Sequence, residues 1–322
     1  MSTTKATALL AGATLAFTAP AASALELGFQ DQRAVITPDA PTAYAVARAV
    51  HARSMRLIVR WADVQPNRGA WHWAAYDDAV DQARAHGFRV QLVLGGIGQR
   101  PPGWAGRDND DPDGLGSWRL MNDRAYLTFV AGAAAHFHGR VQTWSLLNEP
   151  DLTGYPAARY ARLFVRGRAA IRRWAPRSRV LWGEFSPWHP ISYTVQALQH
   201  HRVTADGFAL HPYGTPGATP TSEGEFANLP VVRRLLRARA TRHVLSTRRR
   251  AALPIYATEY GCAATSADCA TMWAKALRGA RALRLRQLVI YQLLSDDSGV
   301  RWNTSIAHAD GTPRAAMSVL AR

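Results

Sequence analysis

Two glutamates occupy positions where they could do acid, base or nucleophilic chemistry. Glu149 lies one residue beyond an apolar, strand-like run at residues 144–147, after Asn148, and precedes Pro150, which stops a strand. Glu259 closes a second β-prone run at residues 254–258. A carboxylate just past a buried strand lies where a core meets a pocket. Two such carboxylates can divide the acid/base and nucleophilic roles that cleavage of an acetal requires.

The motifs around these glutamates resemble those of a known clan. Asn148-Glu149-Pro150 follows one strand-like run, His211-Pro212-Tyr213 follows a later one, and Thr258-Glu259-Tyr260-Gly261 follows the next. Together they resemble the large clan of retaining glycoside hydrolases built on a (β/α)8 barrel, and are most similar to its families 39 and 5. The resemblance covers essentially the whole chain after residue 24. It implies an α/β fold, a single-domain (β/α)8 barrel, with Glu149 as general acid/base after the fourth strand and Glu259 as nucleophile after the seventh.

The same resemblance assigns supporting residues. Arg56 matches the arginine that the clan keeps in strand two beneath its nucleophile, while Arg60 shares its strand face and stays open as the functional alternative. His211 and Tyr213 match positions that face the nucleophile or the sugar, with a purely structural histidine as the alternative. Asn148 would bind the sugar hydroxyl beside the reacting carbon.

The sugar-binding surface departs from the clan in one place. Trp104 lies in Pro102-Gly103-Trp104-Ala105, which resembles a clan segment after strand three, and it is expected to line the sugar site. Many members carry a tryptophan late in strand eight as a floor for the sugar, whereas this chain has Gln292 after Tyr291. Trp302, in the following loop, would supply the missing surface. Specificity is expected from the loops around four aromatic residues: Trp104, Tyr155, Trp188 and Trp302.

A third strand-end carboxylate, Glu184, follows residues 179–183 and is the best rival to the pair. No motif of the clan surrounds it, so we interpret it as a residue behind the pair or at the pocket rim. A lone glutamate at a strand end is more often solvated or paired with arginine than catalytic. The assignment therefore depends on Glu149 and Glu259 together.

The elements that must position these residues alternate along the chain. Strand-like runs followed by helix-like runs predict a parallel sheet with crossover helices. In a closed parallel barrel the strand ends converge on one face, so residues distant in sequence meet there. Besides the runs before the two glutamates, strands are predicted at 27–30, 55–61, 89–94, 179–183, 207–210 and 287–293. Helices are predicted at 41–53, 74–86, 122–138 and 159–174.

The first 24 residues are typical of a secretory signal peptide. Lys5 precedes an apolar run from Ala6 to Ala22, and Ala22-Ser23-Ala24 predicts cleavage after Ala24. An uncleaved membrane anchor is the alternative, but the run is broken by polar residues and proline and is short for a span of about 20 residues. The sequence therefore predicts a secreted, extracellular protein with a single barrel over residues 25–322.

Cys262 and Cys269 are the two cysteines of the chain. Export permits a disulfide, so we predict that they close a small loop directly after the Glu259 strand. Two cysteines are too few for a zinc site. The glycine run at 95–98 lacks the spacing of a dinucleotide turn, and the acidic loop at 108–113 lacks EF-hand spacing for calcium. We expect no metal and no organic cofactor.

The formal charge is +16, with 39 Lys and Arg against 23 Asp and Glu. Such an excess is compatible with a nucleic-acid or polyanion binder. However, the densest arginine clusters, at 233–239 and 248–250, fall in a helical segment far from the strand ends. We interpret them as a solvated outer face, with attraction to an anionic cell surface or acidic polysaccharide as the alternative.

Three classes of function fit these observations to different degrees. A basic nucleic-acid binder accounts for the arginines but leaves the strand-end motifs unexplained. A barrel that binds carbohydrate without cleaving it is the second class, although the presence of both glutamates argues against it. The favoured prediction is a secreted monomer that hydrolyses β-glycosidic bonds of oligo- or polysaccharides with retention. No nucleic-acid partner and no membrane contact after signal cleavage are expected.

Overall fold

The computed structural model describes residues 24–96, 99–106, 118–295 and 303–322. Eight parallel strands in these residues form a closed barrel, and their order around it follows their order in the chain. The predicted (β/α)8 barrel is therefore confirmed. The strands are β1 (Glu26–Gln30), β2 (Ser54–Val59), β3 (Arg89–Leu94), β4 (Thr143–Ser145), β5 (Arg179–Phe185), β6 (Gly207–Leu210), β7 (Ile255–Tyr260) and β8 (Gln287–Tyr291).

Helices connect the strands and surround the barrel. They are α1 (Gln32–Val35), α2 (Ala40–Ala49), α3 (Trp61–Val64), α4 (Ala74–Ala85), α5 (Asp123–His136), α6 (Ala157–Trp174), α7 (Pro190–Ala197), α8 (Leu229–Thr241), α9 (Cys269–Ala282) and α10 (Ala315–Leu320). A separate parallel pair joins Val203–Thr204 to Leu245–Ser246. None of the helices in the described part of the chain combines the length and apolarity needed to cross a membrane.

Most predicted bounds lie within two residues of the observed ones, and the larger differences have local causes. α2 ends at Ala49 instead of residue 53 because His51 adopts a left-handed conformation (φ 57°), which stops the helix. β2 ends at Val59 because Trp61 already begins α3. Arg60 consequently occupies the N-cap position of α3, and its side chain is 49% exposed and lies 3.8 Å from Asp63. The expectation that Arg60 shares an inward face with Arg56 is therefore wrong.

β5 continues two residues beyond its predicted end and carries an irregularity there. Gly183 (φ 114°) and Glu184 (φ 69°) both leave the extended conformation, and the register with β6 shifts between Gly183 and Phe185. Glu184 consequently lies within the strand and is fully buried. Of the two positions expected for Glu184, the pocket rim is wrong and the position behind Glu149 and Glu259 is the observed one, because the irregularity directs this glutamate into the barrel.

Two layers of packing hold the barrel together. The main apolar core lies between the sheet and the helices and includes five fully buried tryptophans: Trp61, Trp118, Trp144, Trp182 and Trp273. Burying a large apolar side chain contributes about 1.5–3 kcal/mol relative to its exposure. A second, smaller cluster joins Leu181, Ala209 and Tyr256. Their neighbours along each strand belong to the main core, so these three side chains face the barrel lumen.

The loop after β7 agrees with the sequence prediction, whereas the arginine clusters agree in exposure but not fully in secondary structure, because residues 248–250 lie in a turn and not in a helix. A disulfide joins Cys262 to Cys269, between the end of β7 and the start of α9. In the arginine clusters, Arg234, Arg237 and residues 248–250 are exposed, as a solvated outer face requires. The predicted signal peptide before Ala24 and the acidic loop at 108–113 lie outside the described residues.

Candidate active site

A group of polar side chains fills the C-terminal end of the barrel lumen. Seven strands contribute to it, and their side chains are all buried: Gln30 from β1, Arg56 from β2, Gln91 from β3, Ser145 from β4, Glu184 from β5, His211 after β6 and Glu259 from β7. Asn148 and Glu149 follow β4 and complete it. We refer to these nine residues as the lumen cluster. It brings together most of the site residues predicted from sequence, because parallel strands end on one face of a barrel.

Arg56 is the centre of the lumen cluster. Its guanidinium donates to Glu259 Oε1 at 2.6 Å and to Glu184 Oε2 at 2.8 Å, and it also contacts Gln30. Burial by itself would lower the pKa of Arg56, but the charges of the two glutamates outweigh burial and raise it. A guanidinium without exposure to water requires such partners. Arg56 therefore fixes the positions of two carboxylates from different strands.

Both carboxyl oxygens of Glu259 accept hydrogen bonds from other side chains. Oε1 accepts from Arg56 at 2.6 Å, and Oε2 accepts from the Tyr213 hydroxyl at 3.0 Å. His211 Nδ1 lies 3.5 Å from Oε2. These donors fix the orientation of the Glu259 carboxyl group in the lumen. The contacts that the sequence predicted for Arg56 and Tyr213 are thus present in the structure.

Glu149 is the member of the cluster that stands in an unusual backbone conformation near the opening. Its φ of 46° is left-handed, which is strained for a residue with a side chain, and such strain concentrates at functional sites. Its backbone N–H donates to the Glu184 carbonyl at 2.7 Å. The side chain is 13% exposed, and Oε1 lies 2.7 Å from His211 Nδ1. Glu149 is therefore directed inward while it keeps access to solvent.

The backbone next to Glu149 is set by a close approach between two loops. Asn148 N donates to Gly95 O at 2.8 Å, and Gly96 has a φ of 128°. A Cβ at Gly96 would stand 2.3 Å from the Asn148 backbone, so only glycine fits there. Asn148 Oδ1 accepts from Arg56 at 2.6 Å. Arginine only donates, so the amide oxygen of Asn148 faces Arg56 and its amide nitrogen is directed away from it.

Glu184 lies beneath the pair formed by Glu149 and Glu259. It accepts hydrogen bonds from five donors: Arg56 Nε and Nη2, Gln91 Nε2, Ser145 Oγ and His211 Nε2. Burial would raise the pKa of Glu184, but Arg56 and His211 lower it to about 2. The Glu184 carboxylate is fully enclosed by other residues of the lumen cluster and therefore cannot contact a ligand directly.

His211 contacts three carboxyl groups. Nδ1 lies 2.7 Å from Glu149 Oε1 and 3.5 Å from Glu259 Oε2, and Nε2 lies 3.3 Å from Glu184 Oε2. Burial would lower the pKa of His211, but the charge of Glu259 and the hydrogen bonds with Glu149 and Glu184 raise it to about 10. His211 is therefore an imidazolium at neutral pH. With Arg56 it supplies two positive charges against three carboxyl groups.

Sequence reasoning missed several members of the lumen cluster. Gln91 and Ser145 sit inside apolar strands and support Glu184, and Gln30 ends β1 beside Arg56. The sequence did carry a signal for them, because a polar residue at an inward-facing position of an apolar strand indicates a polar partner inside the barrel. Asp151, two residues after Glu149, was also missed. It accepts from Ser186 N at 3.0 Å and Oγ at 2.6 Å, and burial raises its pKa to about 6.

Trp104, which the sequence predicted to line the sugar site, lies beside a separate cavity. Trp104 Nε1 donates to Gln65 O at 3.0 Å, and Trp104 lines a cavity of about 640 Å³ with Arg68, Trp71 and Arg124, among others. Within the described residues this cavity shares no lining residue with the lumen cluster. The structure thus places Trp104 beside a different cavity.

Tyr155 does not face a pocket. Its side chain is only 1% exposed, and its hydroxyl donates to Asp123 at 2.9 Å, so the expectation that it shapes specificity is wrong. An aromatic ring that packs the core cannot be told from a ligand-facing one by sequence alone. Trp188, by contrast, is 51% exposed.

Gln292 lies next to the lumen cluster, whereas Trp302 lies outside the described residues. Gln292 follows β8, and its side chain hydrogen-bonds Tyr291. Burial and the charge of Glu259 raise the pKa of Tyr291. Gln292 lies directly after β8, the strand at whose end the resemblance predicted contact with sugar.

Three members of the cluster could also bind a metal ion. One ligand atom from each of Glu149, His211 and Glu259 lies within 4.8 Å of the others. However, an ion there would replace the proton of His211 and would stand beside the Arg56 guanidinium, which already pairs with Glu259 at 2.6 Å. Two fixed positive charges disfavour a third. The donor set therefore suits proton transfer better than metal binding.

Comparisons with known proteins agree on the fold. No protein-family model and no curated protein sequence matches the chain. A family 39 glycoside hydrolase from the gut symbiont Bacteroides cellulosilyticus WH2 superposes with a TM-score of 0.72 at 16% identity, over 93% of this chain and 63% of that one. An exo-β-1,4-mannosidase from Opitutaceae bacterium strain TAV5 gives 0.67 at 17% identity, over 92% and 58%.

A third solved structure, a monomeric β-xylosidase from Caulobacter crescentus CB15, gives a TM-score of 0.65 at 17% identity, over 92% of this chain and 66% of that one. The chain thus spans less than two thirds of the length of each of these three proteins. At such identities the likeness concerns the fold. The chain has the (β/α)8 barrel fold of these glycoside hydrolases, and the predicted resemblance is confirmed at that level.

Proposed function

We propose that the protein is a glycoside hydrolase that cleaves β-glycosidic bonds with retention of configuration, with Glu149 as acid/base and Glu259 as nucleophile. The observation that carries this proposal is the separation of the two carboxyl groups. One oxygen of each, together with the His211 nitrogen between them, lies within 4.8 Å of the others. Retaining enzymes hold their carboxyl groups about 5–5.5 Å apart, whereas inverting enzymes need about 6.5–9.5 Å for a water.

The first step forms a glycosyl-enzyme. An oxygen of Glu259 attacks the anomeric carbon as the bond to the leaving oxygen breaks, and Glu149 gives that oxygen a proton. Arg56 and Tyr213 orient Glu259 for attack, each through one carboxyl oxygen. Asn148 presents its amide nitrogen to a hydroxyl of the sugar, since its oxygen is occupied by Arg56.

The second step releases the sugar. Glu149, now a carboxylate, takes a proton from water as the water oxygen attacks the anomeric carbon and the bond to Glu259 breaks. Glu149 regains the proton that it lost, and Glu259 returns to the carboxylate. Two inversions at one carbon give net retention.

The substrate class is proposed as oligo- or polysaccharide, with contributions from side chains at the opening. Gln292 directly follows β8 at the C-terminal end of the barrel and suits a polar contact with the sugar. Trp188 is exposed and could offer a stacking surface to a sugar ring. The neighbours described above include a β-xylosidase and an exo-β-1,4-mannosidase. Pentosides and hexosides are therefore both tested as substrates.

We also propose that the protein acts outside the cell as a monomer, with its first 24 residues removed on export. The disulfide between Cys262 and Cys269 supports an oxidising compartment. Mass spectrometry of the protein from culture medium tests this proposal. A mature chain that begins at Leu25 is the expected result, and an intact first segment in a membrane fraction contradicts it.

The activity is tested with a panel of aryl β-glycosides and soluble polysaccharides, with the anomer of the first product read by NMR. Turnover with a retained anomer is expected, and it should persist in the presence of a chelator. The double variant Glu149→Gln, Glu259→Gln serves as the control for contaminating enzymes. An inverted first product contradicts retention. Binding without turnover supports instead a barrel that binds carbohydrate and does not cleave it.

A further inference from the structure

We infer that His211, oriented by Glu184, stores the proton that Glu149 delivers to the leaving group. In this inference, which rests on the proposed function, Glu184, His211 and Glu149 act as a linear relay. His211 and Glu184 are positioning residues, since neither can touch a substrate. Sequence reasoning placed Glu184 behind the pair or at the pocket rim and His211 against the nucleophile or the sugar, and it did not link the two residues.

The three residues form a linear chain of contacts that reaches the pocket at Glu149. Each imidazole nitrogen of His211 faces a carboxylate, with Glu149 at 2.7 Å from Nδ1 and Glu184 at 3.3 Å from Nε2. The side chains of His211 and Glu184 have no exposure, whereas Glu149 is 13% exposed. A proton on the imidazole can therefore reach a ligand in the pocket through Glu149.

The charges around His211 favour its protonation. It faces Glu149 after β4, Glu184 on β5, Glu259 on β7 and the single guanidinium of Arg56 on β2, with Tyr213 near Glu259 on its own connection. Three carboxyl groups against one guanidinium leave a negative excess that a protonated imidazole reduces. The raised pKa of His211, about 10, agrees with this balance.

Over one catalytic cycle the relay loses one proton and regains it. His211 Nδ1 gives its proton to Glu149 Oε1, which leaves a neutral imidazole whose Nε2–H donates to Glu184. Rotation about the terminal torsion of Glu149 brings the acid proton to the leaving oxygen, whose bond to the anomeric carbon breaks as Glu259 bonds to that carbon. In the second step Glu149 takes a proton from water and returns it to His211 Nδ1.

Glu184 decides which tautomer His211 adopts. Arg56 Nη2 also lies near His211 Nε2, at 3.4 Å, and would donate to that nitrogen if it carried no proton. Glu184 is a carboxylate held by Arg56, Gln91 and Ser145, so it can only accept a hydrogen from Nε2. The carboxylate that orients an imidazole in hydrolytic triads acts by the same logic.

The first test observes His211 directly and needs no turnover. The protein is labelled with 15N-histidine, and the His211 signal is identified among the 11 histidines by its absence in His211→Asn. If that variant does not fold, the signal is identified by its shift in Glu184→Gln. We expect both ring nitrogens of the wild-type His211 to be protonated at pH 7.5 and to titrate only above pH 9. A neutral His211 ring at pH 7.5 overturns the inference.

The second test measures the pH dependence of kcat/KM for Glu184→Gln, which keeps the shape of Glu184 and removes its charge. For a substrate with a poor leaving group, the alkaline limb should move down by at least one pH unit, since a neighbouring opposite charge shifts a pKa by about 1–3 units. An activated aryl glycoside, which needs no proton, should show no such shift in its first step.

Ser145→Ala is the matched control, because it removes a neutral donor to Glu184 and leaves the charge in place. Its alkaline limb should stay within about 0.3 pH units of the wild type, given the absence of a charge change. Equal shifts in both variants, or a uniform loss at every pH in Glu184→Gln, assign Glu184 a structural role and overturn the inference. If no glycoside is turned over, the proposed function fails and the NMR result alone decides the protonation of His211.

Discussion

The barrel lumen and the outer surface use arginine in opposite ways. Arg56 has no exposure and pairs with Glu184 at 2.8 Å and with Glu259 at 2.6 Å, whereas Arg60, four residues later, is half exposed and lies 3.8 Å from Asp63. In the lumen a lost partner leaves a charge uncompensated and away from water. At the surface water replaces the partner at little cost. Charged residues in the lumen therefore fix the positions of their partners, whereas charged residues on the outer surface can be replaced at little cost in stability.

The largest effect is expected from the lumen carboxylate that attacks the substrate. Glu259→Ala should reduce turnover of every substrate by about 10⁴ to 10⁶-fold, because no glycosyl-enzyme can form whatever the leaving group. Steady-state kinetics on the glycoside panel measure this loss. The surface variant Asp63→Asn, whose side chain is 57% exposed, should stay within about twofold of the wild type. Full activity in Glu259→Ala would remove this residue from the mechanism.

A smaller and more selective effect is expected from the second lumen carboxylate. Glu149→Ala should reduce turnover of substrates with poor leaving groups by about 10² to 10⁴-fold and spare the first step for activated aryl glycosides. The covalent intermediate should then accumulate and be visible by mass spectrometry. Added azide should restore turnover and give a product of retained configuration. An inverted azide product from this variant would mean that the roles of Glu149 and Glu259 are exchanged.

The comparison between Arg56 and Arg60 predicts a difference in stability. Arg56→Met should lower the free energy of unfolding by about 3–5 kcal/mol, because it leaves two buried carboxylates without their shared partner. Arg60→Met should change it by less than about 0.5 kcal/mol. Urea denaturation of both variants measures the difference. Similar losses in both would contradict the distinction between lumen and surface.

The lumen cluster should also make stability depend on pH in two windows. The pKa of Glu184 is lowered to about 2 from 4.5, so its stabilisation is complete above pH 4.5 and is lost as the pH falls towards 2. The pKa of His211 is raised to about 10 from 6.5, so its stabilisation is complete below pH 6.5 and is lost as the pH rises through 10.

The His211 window is the one that thermal unfolding can reach readily. The difference in Tm between wild type and His211→Gln should be largest near pH 5–6 and should shrink as the pH rises to 10, following the raised pKa of His211. A difference that stays constant from pH 6 to pH 10 would show that His211 carries no proton to lose in this range.

Local pattern was sufficient for the barrel and for part of its site. The alternation of strand and helix predicted the fold, and β3 and β6 have their predicted bounds. Gly87 ends the helix before β3 with a φ of 81°, a left-handed conformation that glycine adopts readily after the end of a helix. The motifs around Glu149 and Glu259 placed both residues at the C-terminal end of the barrel, because parallel strands end on one face.

Tertiary structure decided the contacts that local pattern does not encode. Glu184 is directed into the lumen by an irregularity at Gly183, and the register shift with β6 that accompanies it depends on a neighbouring strand. Arg56 is internal and Arg60 is external because α3 begins at Trp61. Tyr155 and Trp188 are both aromatic loop residues, yet one is enclosed and the other exposed.

The sequence by itself determined the order of the elements and the identity of the chemical groups at the strand ends. Periodicity, proline, glycine and residue type act over a few positions, and they are readable in one dimension. The tertiary structure alone decided which carboxylate faces solvent, which is sealed beneath it, and that His211 lies between them. Those properties depend on burial and on charges from other strands, so they exist only once the barrel has closed.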